Sequence, residues 1–306
     1  MLGCVAVPMR RPGQGVGQGS AGLRPARRRI SASDGAGLSA IVWPGSRRTG
    51  FLLVHGLSSN ARLWDDVAGH LAANGYPVAA VDQRSHGRSD RVDGPFNFAT
   101  LADDLAAVIE AVFAPETAVV AAGQSLGGNV VVELARRHPR KVAGAAFIDG
   151  GFITLSDLFP DWETALAELT PPSFEGLTPA VLERRLREGH PDWPESGIRG
   201  QMANFATAPD GTLRPHLARE HHLMLLREMW EHRPAETAPF VECPALVVAV
   251  HDSSPAGAMR RRSVDRFVRR LPRGRLIRVV ADHDLHAQYP RRTAGWLEEL
   301  AGEAMR

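Results

Sequence analysis

From about residue 36 onward, short β-branched apolar runs alternate with segments of helical periodicity, and that rhythm leaves few folds open. Strands separated by helical crossovers pair in parallel, and the helices then cover both faces of one sheet. The strand candidates are Leu38–Trp43, Phe51–Val54, Val78–Val81, Ala118–Ala122, Val142–Ile148, Ala245–Val250 and Leu276–Val280. Several are almost continuously apolar, as strands buried on both faces are. Between them, Leu101, Leu105, Val108, Ile109 and Val112 form one apolar stripe within residues 98–113. Residues 126–137, 260–271 and 292–301 also read as helices. The expected fold class is α/β, a mostly parallel central sheet flanked by helices.

The rhythm breaks over residues 152–238, which carry helix candidates separated by prolines (177–187, 201–206 and 216–230) and no convincing strand. An insertion of that length is too long for a loop in a compact domain, so it is expected to form a helical cap, or lid, on the sheet. The core is then 34–151 with 239–306. Residues 1–33 contain no acid, six arginines and glycines at 13, 15, 17, 19 and 22, which predicts a disordered extension. Their composition has some likeness to an organelle transit peptide, but no basic stretch precedes the apolar start as in a secretory signal.

That segment also explains the net charge of +2. Removing its six arginines from 36 basic residues leaves 30 against 34 acidic ones, a net of about −4. A nucleic-acid partner loses its main support. The arginines at 260–262, 266, 269, 270, 273 and 275 lack aromatic interleaving and read as a solvated helix face. No apolar run approaches the roughly 18 residues of a membrane span. Two cysteines, Cys4 and Cys243, make no disulfide framework, which fits a reducing compartment or a disulfide-free exported enzyme; a cytoplasmic location is expected.

The chemistry begins at Gly123-Gln124-Ser125-Leu126-Gly127, between the strand at 118–122 and the helix at 126–137. A serine on so tight a strand-to-helix turn is forced into a strained conformation that exposes its hydroxyl. The hydroxyl is a weak nucleophile without a base, and the base needs an orienting acid. Asp252 follows the strand 245–250 and His283 follows 276–280, so Ser125, Asp252 and His283 come in the chain order expected of such a triad. An oxyanion needs two backbone donors. These are expected at Leu126 and at Leu57, in the loop His55-Gly56-Leu57 after the strand 51–54.

The segments LLVHGLSS (52–59), VDQRSHGRSD (81–90), GQSLGG (123–128), HD (251–252) and DHDLHAQYP (282–290) together resemble the α/β-hydrolase fold superfamily, in its serine-nucleophile, esterase- and lipase-like branch with a helical cap. The likeness spans residues 38–300. It implies Ser125 as nucleophile, Asp252 as acid, His283 as base, and a cap at 152–238 inserted after the sixth strand. Some family members place the acid where Asp149 stands, which makes Asp149 the rival. His286 is the rival base. Two departures stand out: Asp282 occupies a position usually held by glycine, with consequences for His283, and Ser85 does the same in the arginine loop.

The expected activity is hydrolysis of a carboxylic ester or lactone through an acyl-enzyme, on a small-molecule substrate with an apolar acyl part, with no metal or organic cofactor. C–C bond hydrolysis of a diketone-like substrate, perhydrolysis or acyl transfer, and a slow-turnover ligand receptor on the same fold are the alternatives. Among cap residues, Trp162 and Trp230 are candidates for a pocket wall beside His55 and Gly56, and His222 and His232 are further possibilities. The neighbouring cap histidines lack the i, i+4 spacing of a zinc helix. Substrate identity and oligomeric state are left open by the sequence.

Overall fold

The computed structural model describes residues 24–251 and 254–306. Eight strands form one sheet: β1 (Ala26–Ser31), β2 (Gly37–Trp43), β3 (Thr49–Val54), β4 (Val78–Asp82), β5 (Ala118–Gln124), β6 (Gly144–Ile148), β9 (Ala245–Val250) and β10 (Gly274–Val279). Their spatial order is β1-β2-β4-β3-β5-β6-β9-β10. Only β1 with β2 and β2 with β4 are antiparallel; the other five pairings are parallel.

Every residue of β2, β3, β4 and β6 is buried, which is why these segments show no polar alternation. Helices α2 (Phe98–Val112), α3 (Leu126–Arg137) and α9 (Pro255–Arg270) pack Leu105, Val130 and Phe267 against one face. Helices α1 (Asp65–Ala73) and α11 (Pro290–Ala304) pack Leu71, Leu297 and Leu300 against the other. Each such leucine contributes about 1.5–3 kcal/mol by leaving water.

Part of the extension expected over 1–33 is a strand. Residues 1–23 lie outside the described residues, but Ala26–Ser31 is the edge strand β1, in register with Gly37–Val42 of β2. Two of its three arginines are edge charges with partners: Arg27 pairs with Asp82 at 2.8 Å and Arg29 with Asp90 at 2.5 Å. An edge strand exposes most of its surface, and only Ile30 is buried here, so no apolar pattern announces it.

The 152–238 segment contains α4 (Trp162–Leu169), α5 (Pro179–Gly189), α6 (Glu195–Met202), α7 (Arg219–Glu231) and the short α8 (Pro234–Thr237). It also contains an antiparallel hairpin, β7 (Phe205–Thr207) with β8 (Leu213–Pro215), where a helix over 201–206 and no strand was expected. Each strand is three residues long, too short for a period-2 signal. A short α10 (Leu285–Gln288) precedes α11.

Candidate active site

Strand β5 delivers Ser125 to the carboxyl end of the sheet, where α3 begins. Ser125 has φ 52° and ψ −123°, a backbone region that costs a non-glycine residue about 1–3 kcal/mol. Its surroundings enforce that geometry. Its N–H donates to the Ile148 carbonyl at 3.1 Å, and its carbonyl accepts from Gly128 N–H at 2.9 Å. Gly150 packs so close that a β-carbon there would collide with the Ser125 backbone.

Leu126 opens α3, so its N–H lacks an acceptor within the helix and sits at the positive end of the helix dipole. Across the turn, a β-carbon on Gly56 would lie 3.0 Å from Ser125 Cβ and would strike the Gln124 amide. Glycine at 56 therefore lets the 55–59 loop, with Leu57, approach the serine.

His283 stands on the loop after β10. Its Nδ1 lies 2.6 Å from Asp149 Oδ2. The network is consistent with Nδ1–H donating to the carboxylate, which leaves Nε2 free to accept a proton. The loop is tethered to the serine's own neighbour, because Gln124 Nε2 donates to the His283 carbonyl at 3.3 Å.

Asp149 ends β6 and is itself held in a left-handed conformation, φ 45°. Its Oδ1 accepts from Val250 N–H at 2.9 Å and lies 2.5 Å from Arg260 Nη2. Burial opposes ionisation of Asp149, but the His283 hydrogen bond, Arg260 and the Val250 amide outweigh it and hold the carboxyl below its ordinary range. At His283 the surrounding protein opposes protonation, and the hydrogen bond and charge of Asp149 outweigh that, raising the imidazole above its ordinary value. Asp252, the acid expected from chain order, lies outside the described residues; among the described residues the carboxylate that meets the His283 ring is the rival Asp149.

Arg260 also corrects the reading of its cluster as a solvated face. It turns inward to Asp149, while Arg266 pairs with Asp157 and Arg275 with Glu299 at 3.1 Å. A run of arginines does not show which member faces an acid.

His286 is fully buried with its ring 4.2 Å from that of Trp64, and neither ring nitrogen has a hydrogen-bond partner. Burial, with the neighbouring His283 second, pushes its pKa down to about 3. His55 is also fully buried: Nδ1–H donates to the Gly56 carbonyl at 2.7 Å, and Nε2 accepts from Gln83 N–H at 3.1 Å. It braces the loop with both nitrogens occupied.

Ser85 has φ 62°, and its hydroxyl is 3.2 Å from both the Val92 N–H and the Val92 carbonyl. Those local bonds let serine hold a turn that glycine would adopt freely.

Between the cap and the 55–59 loop lies a cavity of about 780 Å³, walled by Ser58, Ser59, Phe174, Phe205, Leu213 and His222 among others. His222 Nδ1 pairs with Ser58 Oγ at 2.8 Å. Ser125, His283, His55 and Gly56 do not line this cavity, and neither do Trp162 and Trp230, which pack edge to face on each other, 5.7 Å apart. His232 is likewise occupied elsewhere, between Asn129 at 2.9 Å and Glu133 at 3.2 Å. The sequence offered no signal for Phe205 and Leu213 as wall residues, because the hairpin that carries them is set by tertiary packing. Among the described residues no three His, Cys, Asp or Glu side chains are grouped to hold a metal ion, and no helix is long and apolar enough to cross a membrane.

A mostly parallel eight-stranded sheet with a strained serine between strand and helix defines an α/β hydrolase. Residues 45–239 match the family model described as Serine aminopeptidase, S33, and the chain belongs to that family.

Among its relatives, a pimeloyl-[acyl-carrier protein] methyl ester esterase of Neisseria meningitidis serogroup B is 43% identical over 90 residues, 29% of this chain and 32% of that protein. A non-heme chloroperoxidase of Streptomyces lividans is 34% identical over 137 residues, 43% of this chain and 48% of that protein. The matched stretch thus spans less than half the length of these curated relatives. In fold, the chain is similar to E-2-(acetamidomethylene)succinate hydrolase, with a TM-score of 0.73 and 23% identity over 90% of this chain and 99% of that one. It is also similar to the thioesterase domain from the curacin biosynthetic pathway, with a TM-score of 0.72 and 20% identity over 90% of this chain and all of that one.

Proposed function

We propose that the protein is a serine hydrolase that cleaves a carboxylic ester through an acyl-enzyme, with Ser125 as nucleophile, His283 as general base and Asp149 as the orienting acid. The observation that carries this reading is the 2.6 Å pairing of His283 Nδ1 with Asp149 Oδ2, on a loop tethered by Gln124 to the serine turn. An imidazole fixed through Nδ1 presents Nε2 to the serine proton. Ser125 Oγ then attacks the ester carbonyl, and the N–H groups of Leu126 and Leu57 receive the developing oxyanion. His283 returns the proton to the leaving alkoxide, and activates water to release the acid from Ser125. The methyl ester esterase activity named for the Neisseria meningitidis relative agrees with an ester substrate.

The test is intact-mass labelling with a fluorophosphonate, on the wild type, Ser125→Ala and His283→Ala, beside a p-nitrophenyl ester series of increasing acyl length. Single-site labelling abolished by Ser125→Ala and strongly slowed by His283→Ala, together with ester turnover, is expected. A wild type that neither labels nor turns over esters defeats the reading.

A further inference from the structure

Asp282, the residue immediately before His283, stands out in the loop. The sequence puts a carboxylate where the resembling family usually has glycine, and the structure shows what that carboxylate meets. Its Oδ2 accepts from Trp193 Nε1 at 2.8 Å and lies 3.0 Å from His190 Nδ1. Both partners belong to the cap, in the turn between α5 and α6, and their rings stack with centroids 4.2 Å apart. The Asp282 backbone N–H donates in turn to Gln288 Oε1 at 2.8 Å, fixing the loop on itself.

The same loop holds the cap at two more points. Gln288 Nε2 donates to Asp192 Oδ2 at 2.7 Å, and Gln201 Nε2, in α6, donates to Asp284 Oδ2 at 3.0 Å. Beneath these bonds Trp193 and Ile198 of the cap pack with Leu63 and Ala287 of the core in a small apolar cluster of their own. Both residues flanking His283 thus spend their side chains on the cap. The ring between them is half-exposed and anchored at Nδ1 by Asp149.

We propose that Asp282 is a positioning residue that ties the His283 loop to the cap through Trp193 and His190, so that the seated cap sets where the base stands. The inference rests on the serine-hydrolase reading. Asp282 touches no reacting atom in that scheme. It acts by limiting the swing of a loop whose imidazole must meet Ser125, and small misplacements of a catalytic group are costly. A glycine at 282 would leave the loop tied to the cap only through Gln288, Asp284 and the apolar cluster; the carboxylate adds a link at the residue next to the base.

The experiment measures the second-order rate of fluorophosphonate labelling of Ser125 in the full chain, which reports activation of the serine without requiring the natural substrate. Asp282→Ala and Trp193→Phe, the latter keeping an aromatic ring but losing the indole donor, are each expected to slow labelling about tenfold. Asp282→Asn, which keeps an acceptor of the same shape, is expected to slow it less. The double variant Asp282→Ala with Trp193→Phe is expected to label no more slowly than the worse single variant, because both remove one link. A labelled wild type whose single variants stay within about twofold of it overturns the proposal and leaves the hydrolase reading standing. So does a double variant whose loss is the product of the two single losses, since the residues then act separately. An unlabelled wild type overturns the hydrolase reading, and this inference with it.

Discussion

His283 Nδ1 and Asp149 Oδ2 lie 2.6 Å apart although 134 residues separate them in the chain. Strand β6 places Asp149 beside β9, whose last residue, Val250, donates its N–H to the other carboxylate oxygen. If this pair orients the base, Asp149→Asn is expected to lower kcat by about 10⁴, because the amide no longer holds the imidazole tautomer. Asp252→Asn is expected to leave kcat/KM within about twofold of the wild type. Steady-state hydrolysis of a p-nitrophenyl ester by the two variants decides between the carboxylates, and the reverse pattern would restore the acid expected from chain order.

The charges around His283 set a pH dependence. The base must be neutral to accept the serine proton, and Asp149 raises its pKa despite the surrounding protein. The acid limb of kcat/KM is therefore expected above the ordinary imidazole value of about 6.5. Arg260 works in the opposite direction on His283. Arg260→Gln removes a nearby positive charge, so the limb is expected to move further toward alkaline pH. A pH–rate profile of the variant that moves toward acid would be inconsistent with this arrangement.

Burial without hydrogen bonds makes His286 a liability in acid. Its folded pKa of about 3 lies below the unfolded value, so the unfolded chain binds the extra proton first. This contribution to stability is full above the ordinary imidazole range and is lost as pH falls toward the depressed value. His286→Phe keeps a flat ring against Trp64 and is expected to retain ester turnover while flattening the fall in thermal midpoint between neutral pH and about pH 4. Loss of turnover with the fold intact would reassign the base.

A buried pair under the 82–90 loop governs stability. Arg84 is 1% exposed and makes two 2.7 Å hydrogen bonds to the Asp104 carboxylate, one from Nε and one from Nη2. Arg84→Ala strands Asp104 in a site whose burial already raises its pKa. The expected cost is about 3–5 kcal/mol, read as a lower urea midpoint at unchanged m-value. A loss below about 1 kcal/mol would mean that water reaches the carboxylate.

Much of the fold was legible in order along the chain. Six of the eight main strands are buried, mostly apolar runs, and α2 and α3 carry regular stripes, because burial writes itself into residue type; β10 shows itself in Leu276, Ile277 and Val279 beside its arginines. Strand β1 was not legible, since an edge strand with arginines at 27, 28 and 29 looks like a solvated tail until Asp82 and Asp90 are brought beside it. The β7–β8 hairpin escaped notice for a related reason: its strands are too short to set a pattern, and the cap holds them.

The sequence by itself determined the serine turn. Glycines at 123 and 127 around Ser125, between an apolar strand and a helix, are a local arrangement, and local backbone sterics are a property of neighbouring residues. Chain order also singled out His283 and the loop carrying Leu57 as candidates. Only the tertiary structure brings Asp149 onto the His283 ring, because spacing along the chain does not say which way a strand-end side chain turns. The same holds for Arg260 at Asp149 and for Trp193 and His190 at Asp282, pairs joined across dozens of residues by how the sheet, α9 and the cap pack. Contacts of that kind are set by packing geometry in three dimensions, and no periodicity along the chain encodes them.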